Sequence, residues 1–132
     1  MSFATFLAGE TLSPGSPVAL ISGGVVYKCC PVDPNTSKLL GVCLESGFVS
    51  SLVRVGLDNA GNLFSNLTVG SDYYVGLVSG TLVSGYKNFI DSFYSSSFVV
   101  AELNFVGKAI STSRISLEPN TVTLISGVDQ GL

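Results

Sequence analysis

Short runs of β-branched and aromatic residues recur along the whole chain, each broken after a few positions by Gly, Asn, Asp, Ser or Pro. That spacing belongs to a sandwich or barrel and not to βαβ units, whose strands alternate with long helical patterns. The clearest pair is Pro17–Ile21 and Val25–Cys29 around Ser22-Gly23-Gly24, where two glycines supply the positive φ angles of a tight hairpin. Pro31–Ser37 follows. Its two prolines lack ladder donors, which predicts a loop, exposed and available for contact. Further strand segments are expected at Leu39–Glu45, at Ser51–Leu57 with Val53 and Val55 facing the core opposite Arg54, and at Tyr73–Leu77 and Thr81–Val83.

The rhythm changes between about residues 84 and 104. Tyr86, Phe89, Ile90, Phe93 and Tyr94 recur at spacings near three and four, a helix-like pattern. Strands resume at Phe98–Leu103, Asn104–Ile110 and Arg114–Leu117, with one more apolar segment, Thr121–Ile125, after Pro119. The expected fold is all-β: a small barrel or sandwich of short antiparallel strands with one short helical or aromatic excursion. A β-domain at 13–118 would be flanked by an N-terminal arm at 1–12 and a C-terminal strand or arm at 119–132.

Charged residues form 11% of the 132-residue chain, against about 25% in an ordinary domain, while hydrophobic residues reach 46%. A surface so short of charge is expected to face other protein, so assembly into a homo-oligomer is the natural inference. The net charge is −3 and the six basic residues are scattered singly, which gives no electrostatic footprint for nucleic acid. No apolar run approaches the length of about 18 residues that a membrane helix requires. The first ten residues lack the basic region of a secretory signal, so synthesis in a cytoplasm is expected, and the Asn35 and Asn66 glycosylation patterns carry no weight.

There is no histidine, which excludes Ser-His-Asp and Cys-His machinery. Cys29, Cys30 and Cys43 do not complete a structural zinc site; adjacent Cys29 and Cys30 would point to opposite faces of a strand, and buried reduced thiols are expected. Glu45, Asp58 and Asp72 are the carboxylates that a glycosidase-like pair would draw on, yet nothing in their spacing demands it. No segment has the glycine and lysine spacing of a phosphate loop. Tyr73-Tyr74 offers an aromatic platform to a sugar only if both rings face out, and alternation sends one inward. The expectation is a protein without enzymatic activity, cofactor or metal.

The order of glycines and strands resembles a module of tailed-bacteriophage virion proteins, found in capsid decoration (cement) proteins and in head-fibre and tail-fibre segments. The resemblance runs from Ala8-Gly9-Glu10-Thr11-Leu12 and Gly15 through Gly24–Lys28, Gly41-Val42, Tyr73-Tyr74-Val75 and Gly80-Thr81-Leu82. It closes on Gly107–Ile110 with Arg114–Leu117. The segment near 84–104 departs from it, being longer and more aromatic than the tight connection expected there. The resemblance implies a virion protein on the capsid exterior, bound to the major capsid protein, with a fibre segment that binds a receptor or glycan as the alternative. A trimer would match the local three-fold positions of an icosahedral shell. The family has no catalytic motif, so candidate partner contacts come from unexplained apolar residues: Phe3, Phe6 and Leu7 before the first hairpin, and Tyr86, Phe89, Phe93 and Tyr94 in the excursion. The alternative for both segments is that they fold back on their own domain.

Overall fold

The computed structural model describes residues 3–58 and 62–125. The first half forms a closed five-stranded barrel from β1 (Phe3–Ala8), β2 (Pro17–Ile21), β3 (Val25–Lys28), β4 (Gly41–Cys43) and β5 (Leu52–Gly56), in the order β1-β3-β2-β4-β5. Pairing of β5 back onto β1, from Phe3 opposite Gly56 to Leu7 opposite Leu52, closes it and leaves no open edge. The second half is a four-stranded antiparallel sheet, β7 (Leu82–Ser84), β6 (Asp72–Val75), β8 (Val100–Ala109) and β9 (Ile115–Ile125) in that order, with the helix α1 (Tyr86–Tyr94) between β7 and β8. The expected all-β class with a short helical excursion is therefore what the chain adopts.

Alternation sorts the apolar residues into three cores. Ala8, Leu12, Val18, Val26, Cys43, Val53 and Val55 fill the barrel. Tyr73, Val75, Val106, Ile115 and Leu117 on one face of the sheet pack against Ala19, Cys29 and Val42 on the outside of the barrel. The other face takes the helix: Phe89 and Phe93 pack with Ala101, Tyr74, Val83, Leu103 and Leu124. Tyr73 and Tyr74 thus lie in different cores, as a period of two requires, and the arrangement is three layers, helix on sheet on barrel.

The β3–β4 connection fastens barrel to sheet. Glu102 N–H donates to the Pro31 carbonyl (2.9 Å), and Gly80 N–H to the Cys29 carbonyl (3.3 Å). The fully buried Asn104 of β8 does more: its Oδ1 accepts Leu39 N–H (2.9 Å) and the Thr121 hydroxyl (2.7 Å), while its Nδ2 donates to the Ser37 carbonyl (2.8 Å).

Three expectations need correction. Within the segment 1–12, expected to be an arm, the described residues 3–12 are not one: Phe3–Ala8 is a barrel strand paired with both β3 and β5, whose backbone groups it satisfies, and Leu12 is buried. The β1–β3 pair is parallel, an exception to the all-antiparallel expectation. The separate strands expected across 98–110 and 114–125 are two long ones, β8 and β9; Pro119 does not interrupt β9, because an edge strand tolerates a missing donor. Residues 126–132 of the expected C-terminal arm lie outside the described residues.

Candidate functional site

Of the apolar residues singled out as partner contacts, the structure exposes some and buries others. Phe89 and Phe93 are fully buried under the helix, at 0% and 1% exposure, and serve the fold. Phe6 is half-buried and packs against the barrel core, because strand alternation turns it to the opposite face from Phe3 and Leu7. Phe3, Leu7, Tyr86 and Tyr94 are exposed. The two tyrosines rim the helix, Tyr86 edge-on to Tyr74 with ring centres 6.3 Å apart and Tyr94 beside Phe93 at 5.6 Å.

Phe3 and Leu7 belong to a wider apolar face. Leu52, directly opposite Leu7 in the β1–β5 ladder, is 67% exposed, and the turn that leads into β5 adds Phe48 at 78% and Val49. That turn is pinned to the end of β1 by Ser50 N–H donating to the Ala8 carbonyl and Ala8 N–H to the Ser51 carbonyl, both at 2.8 Å. The charged member of the face is held in place: Arg54 donates through its backbone N–H (2.9 Å) and its Nε (3.1 Å) to one Glu45 oxygen, and its guanidinium carbon sits 5.6 Å from the Phe3 ring centre. These donors hold the Glu45 carboxyl below its ordinary pKa. Phe48, Val49 and Leu52 were not anticipated; for Leu52 the signal was present, since alternation puts it on the face of Arg54 opposite Val53 and Val55, whereas the hydrophobic pattern gave no sign that Phe48 and Val49 would be left uncovered.

A cleft of about 600 Å³ opens between the β2–β3 turn and the Asp33–Thr36 loop, with Tyr27 of β3 in its wall. The turn takes its shape from Gly23 (φ 85°) and Gly24 (φ 75°), as the sequence requires. The loop is tied to itself: Asp33 N–H donates to the Cys30 carbonyl (3.0 Å), Thr36 N–H to the Asp33 carbonyl (3.1 Å) and Cys30 N–H to the Thr36 carbonyl (2.9 Å). Asn35 N–H donates to Asp33 Oδ1 (2.9 Å). Tyr27 lies against Gly9, where a β-carbon would run into the ring, so glycine there is what seats the tyrosine.

The ionisable groups named from the sequence are engaged elsewhere or suppressed. Glu45 is paired with Arg54 and Asp72 with Lys108 (3.0 Å). Burial, then the neighbouring Cys30, pushes the Cys29 thiol up to about 12. Burial also raises Cys43, whose Sγ–H donates to the Glu45 carbonyl at 2.9 Å. Both thiols are therefore protonated and poor nucleophiles near neutrality. Among the described residues no three His, Cys, Asp or Glu side chains gather as metal ligands, and no helix is long and apolar enough to cross a membrane. Tyr73 is buried, its hydroxyl accepting Thr68 N–H (2.8 Å), and Tyr74 is half-buried against Phe105 and Tyr86, so this pair presents no platform to a sugar. Comparison with models of known protein families gave no match, and no curated protein matched the chain.

Proposed function

We propose that this chain is a non-enzymatic structural protein of a phage particle, a capsid decoration protein that binds the outside of the head and stabilises the shell. The observation that carries the reading is the apolar face of Phe3, Leu7, Phe48, Val49 and Leu52 on a barrel whose charge content is low. A free surface of this kind is a liability in water and an asset in an interface. Its occupant in this reading is the major capsid protein, with self-association of the chain, a trimer foremost, matching the shell's local three-fold symmetry. The closed barrel gives such an interface a rigid mount, which lowers the ordering cost of binding. Copies repeated over a lattice then multiply a modest contact of standard size, about 1,600 Å² in total.

A head-fibre or tail-fibre segment is the second reading, and the cleft beside Tyr27 is the observation that favours it. One experiment tests both: electron cryomicroscopy of particles of the virus that encodes the chain, together with a binding assay of purified protein on expanded empty heads. Decoration places density across the capsid faces, and Phe48→Ser with Leu52→Asp reduces head binding while the protein stays folded. Density confined to a vertex or the tail favours the fibre. Absence from the particle, or head binding indifferent to those substitutions, refutes decoration through this face.

A further inference from the structure

We propose that the cleft between the β2–β3 turn and the Asp33–Thr36 loop is a binding site for a neutral saccharide. The inference is independent of capsid binding, since it rests on a different surface. The cleft's volume of about 600 Å³ falls within the roughly 300–1,000 Å³ of small-molecule sites, and that is room for one or two sugar rings. Its lining residues include Tyr27, Ser22, Thr36, Asn35 and Asp33, which carry an aromatic ring, two hydroxyls, an amide and a carboxylate. An aromatic ring suits the apolar C–H face of a pyranose. Carboxylate, amide and hydroxyl groups suit its ring of hydroxyls, each of which donates one hydrogen bond and accepts others.

The charge of the lining narrows the ligand class. Among the described residues of the lining Asp33 is the one carboxylate and none is Lys or Arg, so a phosphate, a nucleotide or an acidic sugar would meet a carboxylate with no cation beside it to offset it. One Asp33 oxygen already accepts Asn35 N–H. A carboxylate has about four acceptor sites, so this hydrogen bond leaves most of its capacity for ligand hydroxyls.

The site is also pre-formed. Three backbone hydrogen bonds close the Cys30–Thr36 loop on itself, and the residues that follow it are anchored to buried Asn104 through Ser37 and Leu39. At the other wall, Gly9 seats the Tyr27 ring. Ligand therefore meets a loop backbone and a Tyr27 ring that are already ordered, which lowers the cost of binding there. A second, smaller cleft of about 320 Å³ shares Pro34 with the first and adds Lys38 and Glu102.

The test is titration of the full chain with glucose, galactose, mannose, N-acetylglucosamine and their disaccharides, followed by amide chemical shifts. N-acetylneuraminic acid and inorganic phosphate are the anionic probes. At least one neutral sugar should shift Ser22, Tyr27 and residues 33–36 saturably, with a Kd on the order of 1 mM, and the anionic probes should not. Asp33→Asn keeps the acceptor for Asn35 N–H and so keeps the loop, yet loses the carboxylate; with Asn35→Ala it should weaken binding by about tenfold or more. The proposal is overturned if no neutral sugar shifts these residues at tens of millimolar. It is equally overturned if the shifts lie elsewhere, if phosphate or the acidic sugar binds as well, or if folded Asp33→Asn and Asn35→Ala proteins bind like the parent.

Discussion

Asn104→Leu is expected to cost a large share of the protein's stability although leucine is of similar size and more hydrophobic. Asn104 is fully buried and answers backbone groups of the β3–β4 connection at Leu39 N–H and the Ser37 carbonyl, besides the Thr121 hydroxyl. The hydroxyl can rotate to another partner; the two backbone groups cannot. Each orphaned group costs about 1–3 kcal/mol, and the buried methyl groups of leucine return about 1–2 kcal/mol, so the net loss should be about 2–3 kcal/mol. In urea, where the slope for a domain of this size is about 1–3 kcal/mol/M, the midpoint should fall by about 1–2 M at unchanged slope. Hydrogen exchange gives a local readout, because the Leu39 amide should lose protection well beyond that of barrel amides such as Val18. A midpoint within about 0.3 M of the parent, or a Leu39 amide that keeps its protection, would refute the assignment of Asn104 as the clamp between sheet and connection.

Three further outcomes follow from the packing. Cys29 has a folded pKa raised from 9.0 to about 12, so its contribution to stability is complete below pH 9 and is lost as pH rises toward 12; Cys29→Ala should flatten the alkaline fall in Tm, and an identical fall in parent and variant counts against the burial account. At pH 8 iodoacetamide should label half-buried Cys30 ahead of Cys29 and Cys43, and equal labelling of all three in the native protein would contradict it. Gly9→Ala drives a β-carbon into the Tyr27 ring and should cost about 1–3 kcal/mol; in a Tyr27→Ala background that cost should largely vanish, and a penalty of equal size in both backgrounds would show that the ring is not its source.

The strands were legible where a local signal named them. Alternation marked Val53 and Val55 as core, the Ser22-Gly23-Gly24 turn fixed the first hairpin, the prolines made 31–37 a loop, and the three-and-four spacing located α1, though not that Phe89 and Phe93, read as partner contacts, form its buried side. What failed was pairing at a distance. Phe3–Ala8 carries a strand's alternation, yet nothing local says that it lies between β3 and β5, so three large apolar residues ahead of the first hairpin read as an arm. The same limit split β8 and β9. Their nine paired positions, from Val100 opposite Ile125 to Ala109 opposite Ile115, override Pro119 because each strand supplies the other's hydrogen bonds.

The candidate surfaces show why composition foretells that a chain has apolar surface to spare but not where it lies. Leu7 and Leu52 are remote in sequence and each sits in an alternating strand whose other face is core. Which of the two faces looks outward depends on the β1–β5 register, and a slip of one residue on either strand would turn its leucine inward and expose its core residues instead. Val53 opposite Phe6 and Val55 opposite Ala4 hold that register, since both valines are fully buried in the barrel. The outward position of Leu7, Leu52 and Phe3 is thus fixed by the residues on the opposite face. A search for exposed apolar residues in such a chain has to begin from the core and work outward. The cleft follows the same logic at one remove: Asp33 and Asn35 are ordinary loop residues until Gly9, on a different strand's end, admits the Tyr27 ring beside them.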